Sequence, residues 1–126
     1  MKEEIKNWWK QAKDDLEKAE ILLNNKKYDG AVFFCQQAVE KGLKAINLRD
    51  NKELIKTHDL AFLARKIKAS DEILSICSNI NPVYTDSRYV DFLETVPAEY
   101  YTKDKAEEYM KMAKKVIKWI KETLGV

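Results

Sequence analysis

Over the first two dozen residues apolar side chains return every three or four positions: Ile5, Trp8, Trp9, Ala12, Leu16, Ala19 and Leu23. That spacing lines them up along one stripe and predicts an amphipathic helix over residues 3 to 24. The polar run NNKK then turns the chain. A second helix is expected over residues 27 to 48, with Tyr28, Ala31, Val32, Cys35, Ala38, Val39, Gly42, Leu43 and Ile46 on one side. Gly42 falls in its middle, where glycine costs about 1 kcal/mol relative to alanine, so the close approach of a neighbouring backbone is expected there.

Residues 49 to 56, RDNKELIK, read as a loop, after which Thr57 is placed to cap a short helix bearing Leu60, Leu63 and Ile67. Ser70 is placed to cap the next helix, which carries Ile73, Leu74, Cys77 and Ile80. Asn81 and Pro82 suit its end or the first turn of a short continuation. Residues 83 to 101 keep no sustained period and are rich in aromatics. Thr102 then caps a long helix whose inner side holds Ala106, Tyr109, Met110, Ala113, Val116, Ile117, Ile120 and Leu124, stopping near Gly125.

These elements predict an all-α bundle in which short links favour up-and-down packing. Only 3 Gly and 2 Pro argue against a turn-rich all-β alternative, and 126 residues suit one domain spanning the chain. A net charge of +2, from 23 basic and 21 acidic residues, provides no strong global field for nucleic acid or an anionic membrane. With neither a signal-like segment at the N-terminus nor an apolar run of membrane length, a cytoplasmic protein is expected. Cys35 and Cys77 lie on apolar stripes without CxxC spacing and are expected to be buried thiols. His58 is the single histidine, which excludes a multi-histidine metal site.

The second helix carries more polar groups than a core helix needs. Phe33, Gln37, Glu40 and Lys44 share a strip opposite its apolar stripe, flanked by Gln36 and Lys41. A solvated face with a Glu40–Lys44 pair is one reading. Phe33 favours another, because a large aromatic centred on that strip exposes area that a partner could cover. On the first helix Asp15 flanks the apolar stripe, so a cationic partner is expected unless it reaches solvent. Arg88 and Lys41 are the candidates.

Arg88 stands in VYTDSRYVDF, among Tyr84, Tyr89 and Phe92. A guanidinium beside aromatic planes is suited to holding phosphate and stacking a base, although aromatics in such a segment also seal bundle ends. His58 follows Thr57 and suits hydrogen bonding at a helix start or acid–base chemistry. The next residue, Asp59, suits the dipole of a first turn.

Taken together, Trp9, Ala12, Asp15, Leu16 and Ala19, the stretch YDGAVFFCQQAVEKGLKA from Tyr28 to Ala45, THDL from Thr57 to Leu60, and Arg88-Tyr89 resemble the HEPN domain family over essentially the whole chain. The resemblance implies an up-and-down four-helix-type bundle with an additional short helix, forming a homodimer. Small stand-alone members accompany a minimal nucleotidyltransferase, as its substrate-binding subunit or as the toxin of a toxin–antitoxin pair. The partner would supply carboxylates and metal, so no cofactor is expected on this chain. Gln37, Glu40, Lys41, Lys44, Arg88 and Tyr89 are then the candidate contacts to a nucleotide or nucleotide-bearing substrate, with Asp15 a structural polar group and Phe33 a dimer contact.

Another branch of that family cleaves RNA without metal, using Arg, four to six intervening residues, then His. After Arg88 the histidine would fall at Leu93, Glu94 or Thr95, after Arg49 at Leu54, Ile55 or Lys56, and after Arg65 at Ser70, Asp71 or Glu72. None is histidine. A ribonuclease reading therefore requires Arg88 to meet His58 across the fold or across a dimer, and a purely structural homodimer with Phe33 in its interface is the remaining alternative.

Overall fold

In the computed structural model, which describes residues 1–90 and 95–126, the apolar stripes become three long helices and four short ones. The first hairpin joins α1 (Glu3–Asn24) to α2 (Tyr28–Asn51). Lys27 N–H bonds the Leu22 carbonyl at 2.8 Å and Lys26 N–H the Leu23 carbonyl at 3.1 Å, with Lys26 at φ 62°. This pair of bonds closes the end of α1 and reverses the chain in three residues. The two helices run antiparallel: Leu22 lies against Gly30, Asp15 against Lys41 and Trp8 against Lys44.

The second helix extends to Asn51, three residues into the expected loop, because side chains tie this last turn to its neighbours. Asn47 Nδ2 donates to the carbonyls of Leu43 and Leu63, Asn51 Nδ2 donates to the Lys66 carbonyl, and Arg49 donates to the Thr123 carbonyl. Periodicity cannot register such tertiary bonds. Lys52 then ends the helix at φ 53°.

Helix α3 (Leu60–Lys66) begins later than a Thr57 cap would place it. Asp59 is the N-cap and accepts from Phe62 N–H at 3.1 Å, while Thr57 Oγ1 accepts from Asp59 N–H at 3.2 Å. The Asn81 amide, then the backbone N–H groups, hold the Asp59 carboxyl below the usual carboxylate range. Ser70 caps α4 (Asp71–Ile80) as expected, and Asn81-Pro82 lead into a one-turn continuation, α5 (Val83–Asp86). After a further single turn, α6 (Pro97–Tyr100), Thr102 caps α7 (Lys103–Leu124) and Gly125 at φ 75° ends it.

Helix α7 runs parallel to α2, since Gly42 meets Ile120 and Arg49 meets Thr123. With α1 antiparallel to α2, this is the up-and-down arrangement, α3 being the additional short helix. The close approach at Gly42 comes from a side chain and not a backbone: a Cβ there would stand 2.7 Å from Ile120 Cδ1. Leu43, Ile46, Leu60, Leu63, Ile80, Val116 and Ile120 form the fully buried centre. Cys35 and Cys77 are buried free thiols, both pushed up to about 12 by desolvation, and so are poor nucleophiles. Among the described residues there is no strand, and no helix is long and apolar enough to cross a membrane.

Candidate functional site

The polar strip of α2 is not a solvated face. Glu40 and Lys44 are only 4% and 7% exposed, and Gln36 is fully buried. The helical wheel places the strip opposite the apolar stripe, but α1 and the loop before α3 close over it. Burying charge requires partners, and the expected Glu40–Lys44 pair is present. Lys44 Nζ donates to Glu40 Oε2 at 3.0 Å and sits 5.7 Å from the centroid of the Trp8 ring, which covers it from α1. Gln36 Nε2 donates to Glu40 Oε1 at 3.1 Å and to the His58 carbonyl at 3.4 Å. His58 Nδ1 bonds the same Glu40 Oε1 at 2.8 Å.

Asp15, 1% exposed, pairs with Lys41 and, at 3.5 Å, with Lys18, and not with Arg88. It also accepts from Gln11 Nε2 at 2.9 Å. Lys41 reaches Gln37 Oε1 at 3.4 Å, and Gln37 Nε2 donates to Gln36 Oε1 at 2.7 Å. The result is one unbroken chain of hydrogen bonds from Gln11 on α1, through Asp15, Lys41, Gln37, Gln36 and Glu40, to His58. Among the described residues no buried side-chain polar atom lacks a partner. The adjacent glutamines that look redundant in the sequence are links between two buried carboxylates.

At the outer end of this chain lies an aromatic platform. The His58 ring stacks on Tyr84 with centroids 3.9 Å apart and planes at 16°. Arg88 Cζ is 4.1 Å from the same Tyr84 centroid, 4.9 Å from Tyr89 and 5.4 Å from Phe33. Its Nε donates to the Tyr84 carbonyl at 2.7 Å, fixing the guanidinium against the ring that α5 carries. Phe33 is half-buried against Phe34, Tyr84 and Arg88, so much of the ring that the wheel leaves exposed is covered from within the chain. Tyr89 remains 47% exposed. Phe92 lies outside the described residues.

His58 and Arg88, 30 positions apart and without the Arg-x4–6-His spacing, therefore flank the Tyr84 ring, one on each face. Glu40 is an acceptor only, so in the neutral imidazole Nδ1 carries the proton and Nε2 is the basic nitrogen. The His58 side chain is 52% exposed, and the Tyr84 ring separates it from the fixed guanidinium on the other face. A guanidinium fixed in this way is equipped to hold a phosphate, and an exposed imidazole to accept or donate a proton. Tyr84 is the central plane that sequence reasoning lists only as a neighbour of Arg88, and the Glu40–His58 contact it misses entirely. A shallow groove of about 300 Å³, lined by Glu4, Asn7, Trp8, Gln11 and Lys41, opens at the other end of the hydrogen-bond chain. No cluster of metal-ligating side chains occurs among the described residues.

A model of the HEPN domain family matches residues 5–123. The protein of Methanocaldococcus jannaschii called "Putative toxin MJ1304" is 31% identical over 131 residues, covering 91% of this chain and 84% of that one. Two crystal structures share the architecture. ST0689, an archaeal HEPN homologue, is 32% identical with a TM-score of 0.83 and 98% of each chain covered. TT1696 from Thermus thermophilus is 26% identical with a TM-score of 0.86, covering 94% of this chain and 96% of that one.

Proposed function

The chain belongs to the HEPN domain family, and from that premise we propose that the Tyr84 platform is the nucleotide-binding face of a toxin-associated accessory protein working with a minimal nucleotidyltransferase. The observation that carries this reading is the guanidinium of Arg88, fixed against the Tyr84 ring whose other face carries the half-exposed imidazole of His58. Arg88 holds phosphate, Tyr89 stacks the base, and His58 contributes a second polar contact. Glu40, Lys44, Gln37 and Lys41 serve the face from behind, because their polar ends are committed to one another and to Asp15. The toxin association is drawn from the name of the archaeal relative.

The test is nucleotide binding by Arg88→Ala. Losing one charge-assisted phosphate contact is expected to weaken AMP about tenfold, equivalent to about 1.4 kcal/mol, as measured by calorimetry. Unchanged affinity would remove Arg88 from the site. The same reading proposes a homodimer through Phe33 and a nucleotidyltransferase-sized partner. Native mass spectrometry of protein drawn gently from its own cells weighs both, together with any retained nucleotide.

One specific observation favours a second reading. Tyr84 carries the His58 imidazole on one face and the Arg88 guanidinium on the other, and RNA crossing the edge of that ring would meet a base for a ribose hydroxyl and a cation for a phosphate, the parts of a metal-independent ribonuclease. RNA cleavage in the presence of a chelator, lost in both His58→Ala and Arg88→Ala, would establish it. Clean protein that leaves RNA intact would rule it out.

A further inference from the structure

We infer that residues 53–58 form a strap that opens as a unit while the bundle stays folded, that His58 is its latch, and that opening bares Glu40. None of this depends on nucleotide binding, although both functional readings above use an imidazole that the strap carries.

Two posts fix the ends of the segment. Asn51, in the last turn of α2, donates to Asn47 Oδ1 at 3.1 Å and to the Lys66 carbonyl at 3.3 Å. Asp59, the N-cap of α3, accepts from Asn81 Nδ2 at 2.8 Å, and Leu60 N–H donates to Asn81 Oδ1 at 2.7 Å. Between the posts the main chain is nearly unattached. Among the described residues, the one backbone–backbone hydrogen bond of residues 53–58 is internal, from Thr57 N–H to the Ile55 carbonyl at 3.1 Å. Glu53, Leu54 and Lys56 are exposed, while Ile55 packs against the core from a half-buried position. The polar attachments to the bundle gather at His58: its Nδ1 bonds Glu40 Oε1 at 2.8 Å, its carbonyl accepts from Gln36 Nε2 at 3.4 Å, and its ring stacks on Tyr84. A segment with so few buried contacts belongs to the low-stability end of a fold, and the contacts of one residue then decide whether it stays down.

The strap has room to lift. Asn51 and Glu40 stand 11 residues apart on α2, about 17 Å along its axis, whereas the seven residues from Asn51 to His58 reach about 24 Å when extended. What lies beneath also makes lifting inexpensive. A lid over leucines exposes apolar area when it opens, but His58 covers Glu40 and Gln36, which are 4% and 0% exposed. Water that reaches the carboxylate returns part of the solvation lost on burial and replaces the hydrogen bond from His58. Lys44 stays under Trp8, which belongs to α1 and does not travel with the strap. The open form therefore keeps the Glu40–Lys44 pair and turns the outer side of its carboxylate to solvent.

Trypsin reads the opening in the full chain, because cleavage after Lys56 needs the strap free of the bundle, and at limiting protease the rate follows the open population. In the wild type that cleavage is expected without denaturant and nearly constant in urea below the unfolding transition, since local opening exposes little surface. His58→Ala should raise it about tenfold relative to cleavage in the Lys26–Lys27 turn between α1 and α2. Tyr84→Leu keeps the imidazole and removes the plane it rests on. It should raise the same ratio several-fold and increase carbodiimide labelling of Glu40 relative to Asp15, which is buried between α1 and α2 away from the strap.

A strap-to-turn ratio that is unchanged in His58→Ala overturns the latch. Glu40 labelling that stays level with Asp15 in Tyr84→Leu overturns the baring of the carboxylate. Cleavage after Lys56 that climbs with urea as steeply as global unfolding overturns the strap itself, because the segment then opens only with the whole fold. That last measurement uses the wild type and decides the matter even where a variant fails to fold.

Discussion

Replacing Glu40 with alanine is expected to destabilise the fold by about 3–5 kcal/mol, measured as a drop in the urea midpoint at an unchanged slope. The size follows from what the change leaves behind. Lys44 stays 7% exposed beneath the Trp8 ring with its ammonium no longer paired. The Gln36 amide loses an acceptor, and His58 loses its anchor. An isolated buried cation is far more costly than the pair was valuable, so the loss should greatly exceed that of an ordinary i,i+4 pair on a helix surface. A change of only a few tenths of a kcal/mol would mean that water reaches Lys44 easily and that the strip is a surface after all.

The second large effect is expected at Asp15. Its replacement by alanine should cost about 1.5–3 kcal/mol by the same measurement, the range for losing hydrogen bonds to a buried charge. It falls short of Glu40 because the Lys41 side chain is 21% exposed and can turn to water when its partner disappears. The two losses should also fail to add. Lys41, Gln37 and Gln36 connect the two carboxylates, so the double variant is expected to depart from the sum of the singles by more than about 0.5 kcal/mol.

How far the sequence could be read differs between the bundle and its site, for physical reasons. Helix α7 was legible to within a residue because its apolar period, its Thr102 cap and its Gly125 stop all agree. The start of α3 was not, since Thr, His and Asp in succession supply two good capping groups. Tertiary bonds from Asn81 chose Asp59 over Thr57. The last turn of α2 was lost to a polar composition that proved to be anchoring side chains.

For the site, listing Glu40, Lys44 and Arg88 was within reach of a helical wheel and a count of arginines. Their separation into buried supports and an exposed rim was not. A wheel describes one helix in isolation, and the covering groups, Trp8 from α1 and His58 from the loop, come from elsewhere in the chain. The only hint available beforehand was that Asp15 called for a cation, and Lys41 on α2 met that need.

The ion pair under Trp8 has a consequence for variation. Apolar residues of similar volume at buried paired positions are often neutral for folding or improve it. A descendant carrying Leu at positions 36 and 40 and Met at position 44 would therefore be expected to keep the fold while losing the anchor of its one imidazole. Drift toward such an oily interior would pass unnoticed by any screen for solubility or expression. If the rim binds nucleotide as proposed, only a screen for that binding would oppose it, and the charges buried in α2 would then belong to the protein's task more than to its architecture.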